Sequence, residues 1–176
     1  ECTKLDATAS DLLEAVSNAR AIHVASHGNP LSSSGEPAVA MTDRRVALSE
    51  IAFAENLSVE WAFMSACSTA DAPLDVADQG ASLASGLAAL GCPHVVGTLW
   101  QLFDTPAAQY ARLLHQEMTI TGRRRPSYTP MAVATATRQL RAEYEVHPVV
   151  WAPYQYTTHL TARPDSTQWS TNDRTS

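Results

Sequence analysis

The sequence predicts an α/β fold with a mostly parallel central sheet and helices on both faces. Short apolar, β-rich runs occupy residues 21–26, 59–66 and 92–100. Stretches with apolar residues spaced for one helical face lie around them, at 10–20, 79–90, 105–119 and 130–145. The connections are short, and strands that alternate with helices over short connections lie parallel, because each helix must carry the chain back along the sheet.

In chain order, Ser10-Asp11 resembles an N-cap, and Leu12, Leu13, Ala15, Val16 and Ala19 form one helical face behind it. Residues 21–26 read as a buried strand, stopped by Gly28-Asn29-Pro30. A polar loop over 29–36 follows. Residues 37–48 suit a small hairpin with its turn at Thr42-Asp43, and Ser49 is placed to cap a helix running to Asn56. Residues 59–66 form the second central strand, and 68–78 a loop with Pro73 and three aspartates, Asp71, Asp75 and Asp78. In the helix over 79–90, Leu83, Leu87 and Leu90 share a side, while Gly80, Ala81, Ala84 and Gly86 allow close packing; Gly91 ends it. Residues 92–100 are the third strand. Thr105-Pro106 opens a helix with proline at its first position, running to about 119, with Tyr110, Leu113, Leu114 and Met118 facing the core. Residues 121–130 read as a basic loop bounded by proline, 130–145 as an amphipathic helix, and 147–156 as an extended segment closing the sheet edge. These elements define one domain over 1–160. The polar residues 161–176 are expected to be a disordered tail.

Composition narrows the function. Of 176 residues, 45% are apolar and 17% charged, which is globular, and the net charge of −6 offers no clustered positive surface for nucleic acid or an anionic membrane. Neither partner is expected. The three cysteines, Cys2, Cys67 and Cys92, form no CxxC pair and no disulfide framework, so reduced thiols and a cytoplasmic setting are expected. No apolar run reaches the roughly 20 residues of a membrane span. A chain that begins at Glu1 is expected to be a fragment of a longer protein.

The chemistry gathers at two strand ends. One apolar run ends at Ser65-Ala66-Cys67, the other at Ser26-His27-Gly28. Sites in parallel sheets form at the carboxyl ends of neighbouring strands, so these two side chains meet across one groove if the strands are adjacent. A free thiol with pKa near 8.5 is only partly ionised at neutral pH, and an imidazole within hydrogen-bond reach takes its proton and later protonates a leaving amine. Cys67 is therefore the candidate nucleophile and His27 its base. The Gly28 and Cys67 backbone N–H groups are the candidate oxyanion donors. Small neighbours, Ser26, Ala66 and Ser68, leave room for a peptide backbone.

Motifs extend beyond this pair. His23-Val24-Ala25-Ser26-His27-Gly28, Phe63-Met64-Ser65-Ala66-Cys67-Ser68-Thr69-Ala70 and Val95-Val96-Gly97-Thr98-Leu99-Trp100-Gln101-Leu102-Phe103-Asp104 occur in that order, and a late His147-Pro148 leads to Trp151-Ala152. Over about residues 5–156 the chain resembles the CHAT domain, a caspase-like cysteine peptidase family often joined to helical repeats. The resemblance implies a caspase-type sheet, a dyad of His27 and Cys67, no metal or other cofactor, a protein or peptide substrate, and regulation by upstream domains of the same protein. In separases, relatives of this family, an Asp in a segment similar to 99–104 helps bind a basic P1 side chain, and Asp104 matches that place. As a residue, Asp104 equally suits a cap for the helix at Thr105-Pro106. The chain departs from the family pattern at Pro153, which cannot donate to a strand ladder. Only about twenty residues precede the His27 strand, fewer than a caspase-type sheet needs for its earlier strands.

Other residues have plainer readings. His23 and His27 lie four apart on a strand, not a helix, so no zinc motif is expected, and His23, His94 and Cys92 are read as core. Asp71, Asp75 and Asp78 lack EF-hand spacing. Arg123-Arg124-Arg125 is either a solvated loop or a site of self-processing by an enzyme that prefers basic residues. A non-catalytic interaction module on the same fold is the alternative to a peptidase. A nucleotide-binding domain is disfavoured because no glycine-rich phosphate loop precedes a helix.

Overall fold

The computed structural model describes residues 7–27, 36–54, 57–67, 78–100, 102–120 and 123–159, with backbone alone at 27, 66–67, 78–82, 120 and 123–124. The order is α1 (Ala9–Asn18), β1 (Ala21–His27), β2 (Ala38–Ala40), β3 (Arg45–Ala47), α2 (Leu48–Ala52), β4 (Trp61–Cys67), α3 (Asp78–Ala89), β5 (His94–Thr98), α4 (Asp104–Met118), β6 (Thr119–Ile120), β7 (Arg123–Arg124), α5 (Thr129–Glu143), α6 (Pro148–Trp151) and β8 (Tyr154–Thr158). The central sheet runs β1-β4-β5-β8. β1, β4 and β5 are parallel, and β8 joins β5 antiparallel at the far edge. This is the predicted mostly parallel α/β sheet with helices on both faces, and it agrees with a caspase-like fold.

Strand alternation divides the core. On one face Ile22, Ala62, Met64 and Val95 pack with Leu12 and Val16 of α1, Ile51 of α2, and Leu83 and Leu87 of α3. On the other, Trp61, Phe63 and Val96 pack with Tyr110, Leu114 and Met118 of α4 and with Ala132, Ala136 and Leu140 of α5. Trp61, Phe63, Tyr110 and Leu114 are fully buried, and each such apolar side chain stabilises the fold by about 1.5–3 kcal/mol.

Several boundaries differ from expectation. Thr8, not Ser10, caps α1: its hydroxyl accepts from the Asp11 N–H, while the Asp11 carboxylate accepts from the Thr8 N–H at 2.7 Å. This reciprocal box satisfies two orphan donors, which Ser10, already inside the first turn, could not do. The β2–β3 turn docks on the same helix start, where Asp43 accepts from the Ala9 N–H at 2.8 Å. α2 starts at Leu48 behind Ala47 and is shorter than predicted, ending at Ala52. Pro106 is the third residue of α4, not the first; the missing N–H is one of the helix's orphans there too. In the expected basic loop over 121–130, Arg123–Arg124 pairs antiparallel with Thr119–Ile120 just before it, and a single 3-10 turn over Pro126–Tyr128 leads into α5. The segment expected to be extended begins instead with α6 and only then becomes β8. Pro153 does not interrupt the ladder. It sits just before β8, and its carbonyl accepts from the Leu99 N–H at 2.9 Å. The tail over 161–176 lies outside the described residues.

Two glycines have separate tasks around α3. Gly91 ends the helix with a φ of 110°, a conformation that L side chains rarely adopt. Gly86 admits α2: a Cβ there would lie 2.2 Å from Leu48 Cδ2. Gly86→Val should therefore cost about 1–3 kcal/mol through overpacking. Leu48→Ala in the same chain should return part of that loss, giving a coupling of about 1 kcal/mol in a urea-denaturation double-mutant cycle. Additive losses would show that the two residues do not compete for this space.

Candidate active site

The ladder between β1 and β4 is continuous from Ala21↔Trp61 to His27↔Cys67. The two residues that the sequence marks for chemistry are thus register partners at the carboxyl ends of adjacent parallel strands. On its other side β4 behaves differently. Its pairing with β5 covers only Trp61↔His94, Ala62↔Val95 and Phe63↔Val96. The last residues of β5, Gly97 and Thr98, pair with Gln155 and Tyr154 of β8. Beyond Phe63 the sheet therefore opens between β4 and β5 toward its carboxyl end.

A cavity of about 250 Å3 lies between the start of α4 and the carboxyl halves of β1 and β4, lined by His23, Ala25, Ser26, Ser65, Leu102, Asp104, Ala107, Ala108 and Ala111. Its cause is local. The start of α4 presents alanines at 107, 108 and 111, and β1 presents Ala25, where larger side chains would fill the space. The lining is mostly apolar, with polar groups at His23, Ser26, Ser65 and Asp104. Ser26 is tied to the hairpin, its hydroxyl donating to the Ala40 carbonyl at 2.6 Å.

The polar floor is a hydrogen-bonded chain. His23 Nε2 lies 3.0 Å from Ser65 Oγ, and His23 Nδ1 lies 3.3 Å from Nε2 of His115 on α4. Ser65 Oγ is also 3.4 Å from the Val24 carbonyl. The His23 ring stacks on Phe63, its register partner, with centroids 4.5 Å apart. His115 packs against Trp61 at 5.4 Å. Ser65 is buried, at 8% exposure, so its hydroxyl needs such partners.

Against expectation, His23 is an exposed cavity-lining residue and not core, because it lies on the α4 side of β1 where small neighbours leave the ring uncovered. Asp104 does not cap α4. The N-cap is Phe103, which makes no side-chain cap bond, and Asp104 is the exposed first residue of the helix, where the macrodipole favours its charge. It also lines the cavity. Cys92 is fully buried, as expected. His94 is half-buried; its Nδ1 lies 2.8 Å from the Tyr156 hydroxyl, and burial holds its pKa below the ordinary histidine value. Gly28, Ser68 and the aspartates Asp71 and Asp75 lie outside the described residues, and at His27, Cys67, Asp78 and Arg123–Arg124 only the backbone is described. Among the described residues no cluster of three or more His, Cys, Asp or Glu side chains could hold a metal. Nor is any helix there long and apolar enough to cross a membrane.

Sequence reasoning missed the group of Ser65, His23 and His115. Ser65 lies two residues before Cys67 and His23 four before His27, so strand parity was a usable signal for both. His115 had none, because its approach depends on how α4 crosses β1 and β4.

The family model described as CHAT domain matches residues 2–159. No curated protein matches the chain.

Burial pushes the Cys92 thiol up to about 11. At pH 8 only about one thiol in a thousand is then ionised, against roughly a tenth or more for a free thiol. In folded protein Cys92 should resist iodoacetamide at pH 8, and in urea it should be labelled at the rate of an ordinary thiol, as read by peptide mass mapping. Fast labelling in the folded state would contradict this burial.

Proposed function

The chain belongs to the CHAT domain family, which is associated with caspase-like peptidases, and from that premise we propose that it is a cysteine endopeptidase acting through Cys67 and His27. The observation that carries this reading is the register pair His27↔Cys67 at the carboxyl end of the parallel ladder. Opposed residues in neighbouring strands are close enough for their side chains to interact. The reading takes His27 and Cys67 as the next members of the series that includes Ala25 and Ser65 along the two strands, since strand side chains alternate.

The reaction then runs as follows. His27 takes the Cys67 proton, and the thiolate attacks the scissile carbonyl carbon of a protein or peptide. The backbone N–H groups of Gly28 and Cys67 hold the developing oxyanion. The amide C–N bond breaks as His27 protonates the leaving amine. Water, deprotonated by His27, hydrolyses the thioester and restores the thiol. No metal or cofactor takes part. Asp104 favours a basic P1 residue by a charge-assisted contact. Domains upstream in the same protein gate the activity. A reducing cytoplasm keeps Cys67 a thiol, and in such an enzyme the exposed Arg125 and its neighbours 123–124 offer a site for self-processing.

The test is a panel of fluorogenic peptides with Arg, Lys, Asp or Leu at P1. Cys67→Ala and His27→Ala should each lower kcat/KM by about a thousandfold or more. Cleavage that survives Cys67→Ala would remove the mechanism. No cleavage of any peptide, with Cys67 unreactive toward iodoacetamide, would favour a non-catalytic interaction module on the same fold.

A further inference from the structure

Ser65, His23 and His115 form a chain that the pair of His27 and Cys67 does not use. Ser65 Oγ lies 3.0 Å from His23 Nε2, and His23 Nδ1 lies 3.3 Å from His115 Nε2. The hydroxyl has one hydrogen to give. The Val24 carbonyl stands at 3.4 Å, beyond the roughly 3.0 Å limit of an ordinary O–H···O bond, so the nearer His23 Nε2 takes that hydrogen. A His23 that accepts at Nε2 carries its own hydrogen on Nδ1, where it points to His115 Nε2. The order is hydroxyl, imidazole, imidazole, each donating to the next.

An activated nucleophile has this geometry: a hydroxyl on a base, and the base on a third group that fixes its tautomer. The surroundings hold the chain in place. The His23 ring stacks on Phe63 and His115 packs against Trp61, two fully buried side chains. Ser65 and His23 both line the cavity of about 250 Å3, so hydroxyl and base face the space that a ligand would enter. Four alanines and Leu102 make most of the remaining wall, and Asp104 adds a carboxylate. Such a lining suits a short aliphatic acyl group and repels an anion. An ester with a good leaving group is the acyl donor that asks least of further oxyanion donors.

We propose that Ser65 is a second nucleophile of this chain, with His23 as its base and His115 positioning His23, and that small neutral esters acylate it. Ser65 Oγ attacks the ester carbonyl carbon as its proton passes to His23 Nε2. The imidazolium keeps its Nδ1–H on His115. The bond from the carbonyl carbon to the leaving alkoxide oxygen breaks, and His23 returns the proton to that oxygen. Water, giving a proton to His23, then cleaves the acyl–Ser65 ester, and a carboxylic acid leaves as the hydroxyl is restored. This activity does not rest on the Cys67 mechanism.

Every test uses the full chain carrying Cys67→Ala, so that no thiol at the strand end competes. The first probe is an alkyl fluorophosphonate, which forms a P–O bond to a reactive serine as fluoride leaves. Mass mapping should find the adduct on Ser65 and not on Ser26. His23→Ala should slow labelling at least about a hundredfold, the scale of a lost general base, and added imidazole should restore part of the rate, which a merely misfolded variant would not allow. His115→Leu should slow it about tenfold, as for one lost hydrogen bond to a charged group, and His115→Gln should recover part of that loss. The second probe is p-nitrophenyl butyrate. Ser65→Ala should lower kcat/KM for its hydrolysis to the level of the urea-unfolded chain. Ser65→Cys keeps a nucleophile in place, and its thiol should react with iodoacetamide at pH 7 faster than the buried Cys92 of the same molecule, but only while His23 is present. No adduct on Ser65, or labelling indifferent to His23→Ala, would overturn the proposal and leave the chain as the means of satisfying a buried hydroxyl.

Discussion

The ladder between β1 and β4 is the constraint on which the rest of the molecule depends. Seven consecutive register pairs hold the two strands from Ala21↔Trp61 to His27↔Cys67. A slip of one residue would move every side chain of one strand to the opposite face, taking Trp61 and Phe63 out of the core they share with Tyr110 and Leu114. The same packing that buries those aromatics therefore fixes which residue faces which at the carboxyl end. Core energetics and site geometry are coupled through a single register, and the residues that pin it lie well before the strand ends.

The space beside that ladder has a different origin. It lies over Ala25 and Ser65 on the α4 side of β1 and β4, where large side chains from α4 could have filled it. Instead α4 begins with alanines and an aspartate, and grows large only further along, at Tyr110, Leu114 and Met118. One helix thus supplies both halves of the design: a packed half that anchors it on Trp61 and Phe63, and an open half over Ser65. His115 lies on the packed half, and through His23 it reaches the floor of the open one.

Much of this was legible in the residues. The apolar runs, helical periods and cap signals place the three parallel strands and five of the six described helices, α2 being shorter than expected, because burial on both faces demands continuous apolar strands. The pairing of strand ends followed from that order. Other features were not legible, for physical reasons. Ser10 was the expected cap and Thr8 is the actual one; both residue types cap helices, and the Asp11 side chain turning back to Thr8 decides between them. α6 was hidden because Pro148-Val149-Val150-Trp151 has the composition of a strand, and its one turn is set by packing against α5. Asp104 was read both as a cap and as a pocket residue, and the cap reading failed because the backbone puts Phe103 at the N-cap. His23 was read as core because a lone histidine in an apolar run usually is; what exposes it is the absence of bulk on a helix 80 or so residues away, which no local pattern records.

The central claim is that His27 and Cys67 act as one acid–base unit. The most direct measurement is the rate of Cys67 alkylation by iodoacetamide between pH 4 and pH 10, followed by mass mapping of its peptide, in the wild-type chain and in His27→Ala. An imidazole beside the thiol stabilises the thiolate, so the wild-type profile should rise well below the value of about 8.5 for a free thiol, and His27→Ala should move it upward. Superimposable profiles in the two proteins, with a midpoint near or above about 8.5, would contradict the account.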